Sequence, residues 1–234
     1  MTTPLEYTGK ERAESVQKMF GKISRNYDLM NRIMTAGQDK KWRREVIRHA
    51  QLEGSDSLLD LGAGTGDLAR EALKQNPASR VLAADFTLDM MRAGKKHGHL
   101  DWAAADALHL PFSDARFDAL VSGFLMRNVT DLPRALQEQY RVLKPGGRIV
   151  ILDTTKPRKN LLTPFINIHL HYIIPFLGGL LTGERDAYTY LPESTENFLR
   201  AEELAAHMAA VGFKNLNFDV KMFGTVAIHW GEKV

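Results

Sequence analysis

The sequence predicts an α/β protein on a Rossmann-like sheet of seven strands, mostly parallel, with the last strand antiparallel. Three observations carry this. An apolar run, Leu58-Leu59-Asp60-Leu61, enters a turn with Gly62, Gly64 and Gly66 and leaves it as a helical pattern, Leu68-Ala69-Arg70-Glu71-Ala72-Leu73. Short β-type runs then alternate with helical segments as far as residue 153, which implies right-handed βαβ units on a parallel sheet. Finally, two strand-like runs are joined only by Met222-Phe223-Gly224. That link is too short for a parallel crossover, so the final pair is antiparallel.

Taken in order, residues 10–26 place Val16, Met19, Phe20 and Ile23 at helical spacing, and a second helix is expected over 39–51. Strands are expected over 58–61, 80–85, 100–105, 117–122 and 148–153, with helices at about 67–75, 87–97 and 132–143. A further helix over 201–211 is stopped by Gly212, and strands over 215–221 and 225–230 follow. The division expected is an N-terminal helical cap over 1–50 and one domain over 51–234. Residues 161–181 are apolar and about as long as a membrane span. Pro164, Asn167, His169, His171, Pro175 and the Gly178-Gly179 pair would leave polar groups in lipid at large cost. The segment is expected instead to be part of an apolar lid insert at about 155–200, covering a substrate pocket; the alternative is plain packing on the sheet.

Composition narrows the classes. With 234 residues and 44% hydrophobic content the chain can build a sizeable core. It has no cysteine, which excludes a disulfide framework, a cysteine nucleophile and cysteine-ligated zinc and fits a reducing, cytoplasmic setting. The first residues lack the pattern of a signal peptide. A formal net charge of +3 does not suggest a nucleic-acid partner. From Lys10 to Arg48, however, eleven Lys or Arg face five acids. This basic region suits an anionic membrane surface or an anionic ligand, the alternative being a solvated helix face.

The glycine turn is the first ligand signal. Glycine admits positive φ and lets the backbone approach a ligand closely. A dinucleotide loop reads G-x-G-x-x-G, but here the glycines alternate and Asp67 stands where the third would be. Asp60 and Asp67 flank the turn, and carboxylates there would repel a pyrophosphate while suiting an ammonium and a sulfonium. The loop with Asp60, Gly62, Gly64, Thr65 and Gly66 is therefore expected to bind S-adenosylmethionine, in a class I S-adenosylmethionine-dependent methyltransferase fold. Asp85 ends the second strand, where an acid takes ribose hydroxyls. Met90 on the next helix can pack on adenine. At the end of the third strand Asp106 can accept from the adenine amine and Ala107 can offer its backbone N–H. Ser122 and Gly123, closing the fourth strand, should face the methionine part.

These residues carry a family likeness. Tyr27-Asp28-Leu29-Met30-Asn31 continuing to Trp42, Gly64-Thr65-Gly66-Asp67, Arg127-Asn128-Val129-Thr130-Asp131 and Arg141-Val142-Leu143-Lys144-Pro145-Gly146-Gly147-Arg148 are separate motifs, as are Tyr188–Ser194 and Ala227–Gly231. By them the chain resembles the ubiquinone/menaquinone biosynthesis C-methyltransferase family along nearly its whole length. The resemblance implies donor contacts at Thr65, Asp85, Asp106, Ala107 and either Ser122 or Gly123. Thr35, Asp39, Leu125-Met126, Asp153 and Thr155 depart from the family's usual residues, with Asp39 and Leu125 expected near the substrate side.

The implied reaction moves a methyl group to a ring carbon of a polyprenylated quinol, either demethylmenaquinol or a ubiquinol precursor. Two alternatives are methylation of another aromatic or lipid-like small molecule and a non-catalytic subunit that binds S-adenosylmethionine. Arg127 is expected to stabilise a phenolate, Asn128 to orient Arg127, and Tyr27 to close over the cofactor. His169 or His171 is a candidate base; their spacing is not that of a metal pair on a helix face, so no metal is expected. A peripheral membrane contact is expected, and a homodimer is admitted.

Overall fold

The computed structural model describes residues 7–24, 26–157, 172–182 and 185–234, together with Pro4, Pro164 and Ile168. Helices α1 (Gly9–Ile23) and α2 (Tyr27–Met34) precede α3 (Asp39–Ala50). Then β1 (Ser57–Leu61), α4 (Asp67–Gln75), β2 (Arg80–Asp85), α5 (Leu88–Gly94), β3 (Asp101–Ala104) and β4 (Phe117–Gly123) alternate. They are followed by α6 (Leu132–Val142), β5 (Leu143–Thr154), α7 (Ile174–Thr182), α8 (Arg185–Glu196), α9 (Ala201–Val211), β6 (Lys214–Lys221) and β7 (Val226–Glu232).

The seven strands form one sheet in the order β3-β2-β1-β4-β5-β7-β6. β1 to β5 pair in parallel, and β7 runs antiparallel to both β5 and β6. Alternate residues of each strand face opposite layers. Leu58, Val121 and Val150 pack with Trp42, Val46 and Ala69 of α3 and α4. Leu59, Leu120 and Ile151 pack with Leu136 of α6 and Leu204 and Met208 of α9. A smaller core joins Ile23 and Met30 of α1 and α2 to Ile174, Ala187 and Tyr188 of α7 and α8. Among the described residues no helix is long and apolar enough to cross a membrane.

Three local outcomes differ from expectation. The helix expected over 10–26 ends at Ile23, and a second one starts at Tyr27. Asn26, at φ −110 and ψ 5, turns the chain and donates its N–H to the Ile23 carbonyl at 3.0 Å. β5 begins at Leu143, where the helix was expected to end, because Leu143 pairs with Phe117. The segment expected over 87–97 is α5 followed by a 3₁₀ turn, Lys95–His97.

Candidate active site

β1 pairs with β2 on one side and β4 on the other. The chain therefore leaves the centre of the sheet in two directions, and the carboxyl ends of β1 and β4 splay around a crevice. The glycine turn sits there. Gly62, Gly64 and Gly66 have φ of 69, 59 and 87, values at which an L side chain is strained. A Cβ on Gly64 would come within 3.2 Å of Met90 Cε and 3.9 Å of Tyr27 Cε1. The turn is fixed from two sides: the Gly64 N–H donates to Asp85 Oδ2 at 2.7 Å, and the Thr65 hydroxyl donates to Asp28 Oδ1 at 2.7 Å.

The crevice opens as a cleft lined by Gly62, Gly64, Asp85, Met90, Asp106, Ala107, Gly123, Asn128 and Tyr27, among others. Of the residues expected to meet the donor, Asp60, Thr65, Gly66 and Ser122 do not line it. Asp60 Oδ2 accepts the Ala69 N–H at 3.0 Å, at the start of α4, while Oδ1 has no hydrogen-bond partner among the described residues. Burial drives the Asp60 pKa up to about 7. Asp67 is tied to Arg43 at 2.6 Å, and Arg43 also holds Asp39 at 2.9 Å. The acids flanking the turn thus face helix α4 and Arg43, and the carboxylates that do line the cleft are Asp85 and Asp106. Asp85 also accepts the Thr87 N–H, on Oδ1 at 2.6 Å. Burial raises its pKa against the pull of these N–H donors. Leu125 lies on this donor side: a Cβ on Gly62 would meet it at 3.0 Å.

A second chamber, mostly apolar, lies beyond the cleft. Its walls include Tyr27, Met34, Thr35, Trp42, Phe124, Arg127, Thr154 and Ile174. Arg127 is buried there. Its Nη1 donates to Asp153 Oδ1 at 2.7 Å and its backbone N–H to Oδ2 at 3.3 Å, whereas Nε has no hydrogen-bond partner among the described residues. The group that orients Arg127 is therefore Asp153. Asn128 spends its amide elsewhere: Nδ2 donates to the Phe124 carbonyl at 2.9 Å, and Oδ1 accepts the Tyr190 hydroxyl at 2.8 Å. Burial raises the pKa of Tyr27 and of Tyr190, so both are neutral phenols near pH 7. His169 and His171 lie outside the described residues. Sequence reasoning gave no role to Phe124, Asp28 or Arg43; the contacts of Asp28 with Thr65 and of Arg43 with Asp67 join distant parts of the chain.

A parallel sheet that reverses its winding beside a glycine turn, with an acid ending the next strand, is how the class I S-adenosylmethionine-dependent methyltransferases are built. The crevice places this chain among them, and its cradle of glycines, Asp85 and Met90 fits that donor. The chain belongs to the ubiE/COQ5 methyltransferase family, whose profile matches residues 8–233. It is 45% identical over 221 residues to the ubiquinone/menaquinone biosynthesis C-methyltransferase UbiE of Desulfotalea psychrophila, covering 93% of this chain and 90% of that one. It is 40% identical over 220 residues to the demethylmenaquinone methyltransferase of Thermus thermophilus, covering 92% and 100% respectively. Among solved structures, the [4+2]-cyclase SpnF matches with a TM-score of 0.69 at 16% identity, over 94% of this chain and 96% of that one. That is a likeness of fold alone, and function has to be argued from the site.

Proposed function

We propose that this chain methylates a ring carbon of a polyprenylated quinol, demethylmenaquinol or a ubiquinol precursor, in quinone biosynthesis. The observation that carries it is the second chamber: an apolar space against the donor cleft with the buried Arg127 guanidinium, whose Nε has no hydrogen-bond partner among the described residues. The names of the two relatives support the same acceptor class.

Gly62, Gly64, Asp85, Met90, Asp106, Ala107 and Gly123 would hold S-adenosylmethionine, which when bound supplies an electrophilic methyl group on a sulfonium. A neutral hydroquinol is a modest carbon nucleophile. Loss of a phenolic proton pushes charge onto the ortho carbon, and an ordinary phenol needs a pH near about 10 for that. Arg127 holds the phenolate: its guanidinium is permanently charged, and apolar walls strengthen its attraction. Asp153 fixes the guanidinium by one edge and leaves Nε for the acceptor. Asn128 ties the end of β4 to α8. Tyr27, on the wall of both spaces, closes over the donor and keeps water out. As the methyl–sulfur bond breaks and the carbon–carbon bond forms, the sulfonium and phenolate charges cancel, so a dry chamber favours the transfer; the ring carbon then gives up its proton to restore the aromatic ring. His169 is the proposed base.

The acceptor's isoprenoid tail needs an apolar path. Tyr172, just before α7, and Phe176 and Leu180 within it recur every four residues and are 73%, 67% and 70% exposed. With the basic N-terminal region they support a peripheral contact with a bilayer.

The test is methyl transfer to demethylmenaquinol and to a ubiquinol precursor under reducing conditions. A ring-methylated product is expected from at least one of them. Arg127→Ala is expected to lower kcat by about 10²-fold, the scale of losing one charge-stabilising donor, with donor affinity by calorimetry nearly unchanged. No product from either quinol would overturn the assignment.

A further inference from the structure

Phe124 follows the last residue of β4 and stands at φ 58. That is the left-handed region, which a bulky side chain adopts only when its surroundings impose it and which gathers at functional sites. Here both backbone groups are held. The Phe124 N–H donates to the Leu152 carbonyl at 2.7 Å, and its carbonyl accepts from Asn128 Nδ2 at 2.9 Å. The ring lies 5.1 Å from the Arg127 guanidinium carbon, a cation–π contact. Among the described residues, Phe124 and Tyr27 alone line both the donor cleft and the apolar chamber.

We propose that the Phe124 ring, with Tyr27, is the septum at which donor and acceptor meet, and that Phe124 is a positioning residue for methyl transfer. The role rests on the methyl-transfer reading above. In-line displacement needs the attacking carbon and the methyl group on one axis and nearly in contact. Two chambers that share a wall can meet only at the opening in that wall, so the residues of the wall set the axis. The strained, doubly anchored backbone holds the ring in one place, and the guanidinium above it links that place to the group that holds the phenolate. Asn128 acts through Phe124: its amide fastens the carbonyl of the septum residue to Tyr190 of α8.

Phe124→Gly removes the ring and leaves a residue that accepts this φ freely, so the turn is retained; Phe124→Tyr keeps the ring. Calorimetry on donor-free protein uses 2-methyl-1,4-naphthoquinone for the chamber and S-adenosylhomocysteine for the cleft. In the parent protein, saturating S-adenosylhomocysteine is expected to change the quinone Kd by less than about twofold. In F124G the widened opening should let the two ligands interact and shift it by about fivefold or more. In the quinol assay F124G is expected to lose about tenfold or more in kcat, and F124Y to stay within about threefold of the parent in both kcat and acceptor KM. Parental kcat in F124G overturns the role. So does a fall in kcat with the two ligands still independent, which is what a merely structural residue would give. If the parent protein methylates no quinol, the proposed reaction fails, and the ligand coupling alone still decides whether Phe124 bounds the opening between the two spaces.

Discussion

Asp60 shows how burial, rather than sequence position, sets what a residue does. It is fully buried, accepts the Ala69 N–H on one oxygen and has no partner for the other among the described residues. Burial, with Asp85 and Asp67 nearby, lifts its pKa to about 7. Its pKa unfolded is near about 3.9. A carboxyl whose folded pKa is raised binds its proton more tightly in the native state. Its stabilising contribution is therefore full below about pH 4 and is lost as pH rises through 7. Asp60→Asn mimics the protonated form at every pH. The variant's Tm relative to the parent is expected to rise progressively between pH 4 and 7 and to level off above; a pH-independent difference in thermal unfolding would contradict this. At the same scale, the position of Asp85 and Asp106 on the cleft was legible because both stand at or just past the carboxyl ends of strands, and that of Met90 because it lies in the first turn of the helix after β2. Phe124 and Asp153 were not. The first is marked by a backbone angle and the second by an ion pair 26 residues away along the chain, and neither leaves a local pattern.

At the scale of elements, the strands were readable because short apolar runs, buried almost continuously in β1, β2 and β4, and the glycine turn are local signals. The break at Asn26 was not, because α1 and α2 are separated by how they pack on α7 and α8, and those contacts are long-range. The same packing contains a tight joint. Gly178 of α7 is buried against Tyr188 of α8, and a Cβ on Gly178 would lie 2.2 Å from Tyr188 Cδ2. Tyr188 is itself only 1% exposed and belongs to the core with Ile23 and Met30, so it cannot swing away. Helix propensity alone would make Gly178→Ala stabilising by up to about 1 kcal/mol. Overpacking costs about 1–3 kcal/mol and should win. Gly178→Ala is expected to lower stability in urea unfolding by about 1–2 kcal/mol and to speed proteolytic cleavage within 172–196. A stabilised variant would show that α7 and α8 pack differently.

For the molecule as a whole, the question is how a chain with no spanning helix among its described residues would reach the proposed polyprenylated acceptor in a bilayer. Two forces are available, and their sizes differ. Each Lys or Arg close to an anionic surface contributes about 1 kcal/mol and is screened by salt. Burying one large apolar side chain contributes about 1.5–3 kcal/mol and is not. Tyr172, Phe176 and Leu180 together therefore outweigh the excess of basic over acidic residues between Lys10 and Arg48 at high ionic strength. Co-sedimentation with vesicles should show this directly. The parent protein is expected to bind anionic vesicles at low salt, and to keep part of that binding on neutral vesicles and in 0.5 M salt, where the Debye length is well under about 10 Å. Phe176→Asp with Leu180→Asp removes two of the three apolar groups and adds two charges facing the anionic surface. The double variant should lose the salt-resistant part, by about 30-fold or more in partitioning. Its kcat/KM should fall for a polyprenylated quinol presented in vesicles and not for a tail-less quinol in solution, because the donor cleft and the Arg127 chamber are untouched. Equal sedimentation of parent and double variant, or equal losses with both acceptors, would exclude this face as the route from the bilayer.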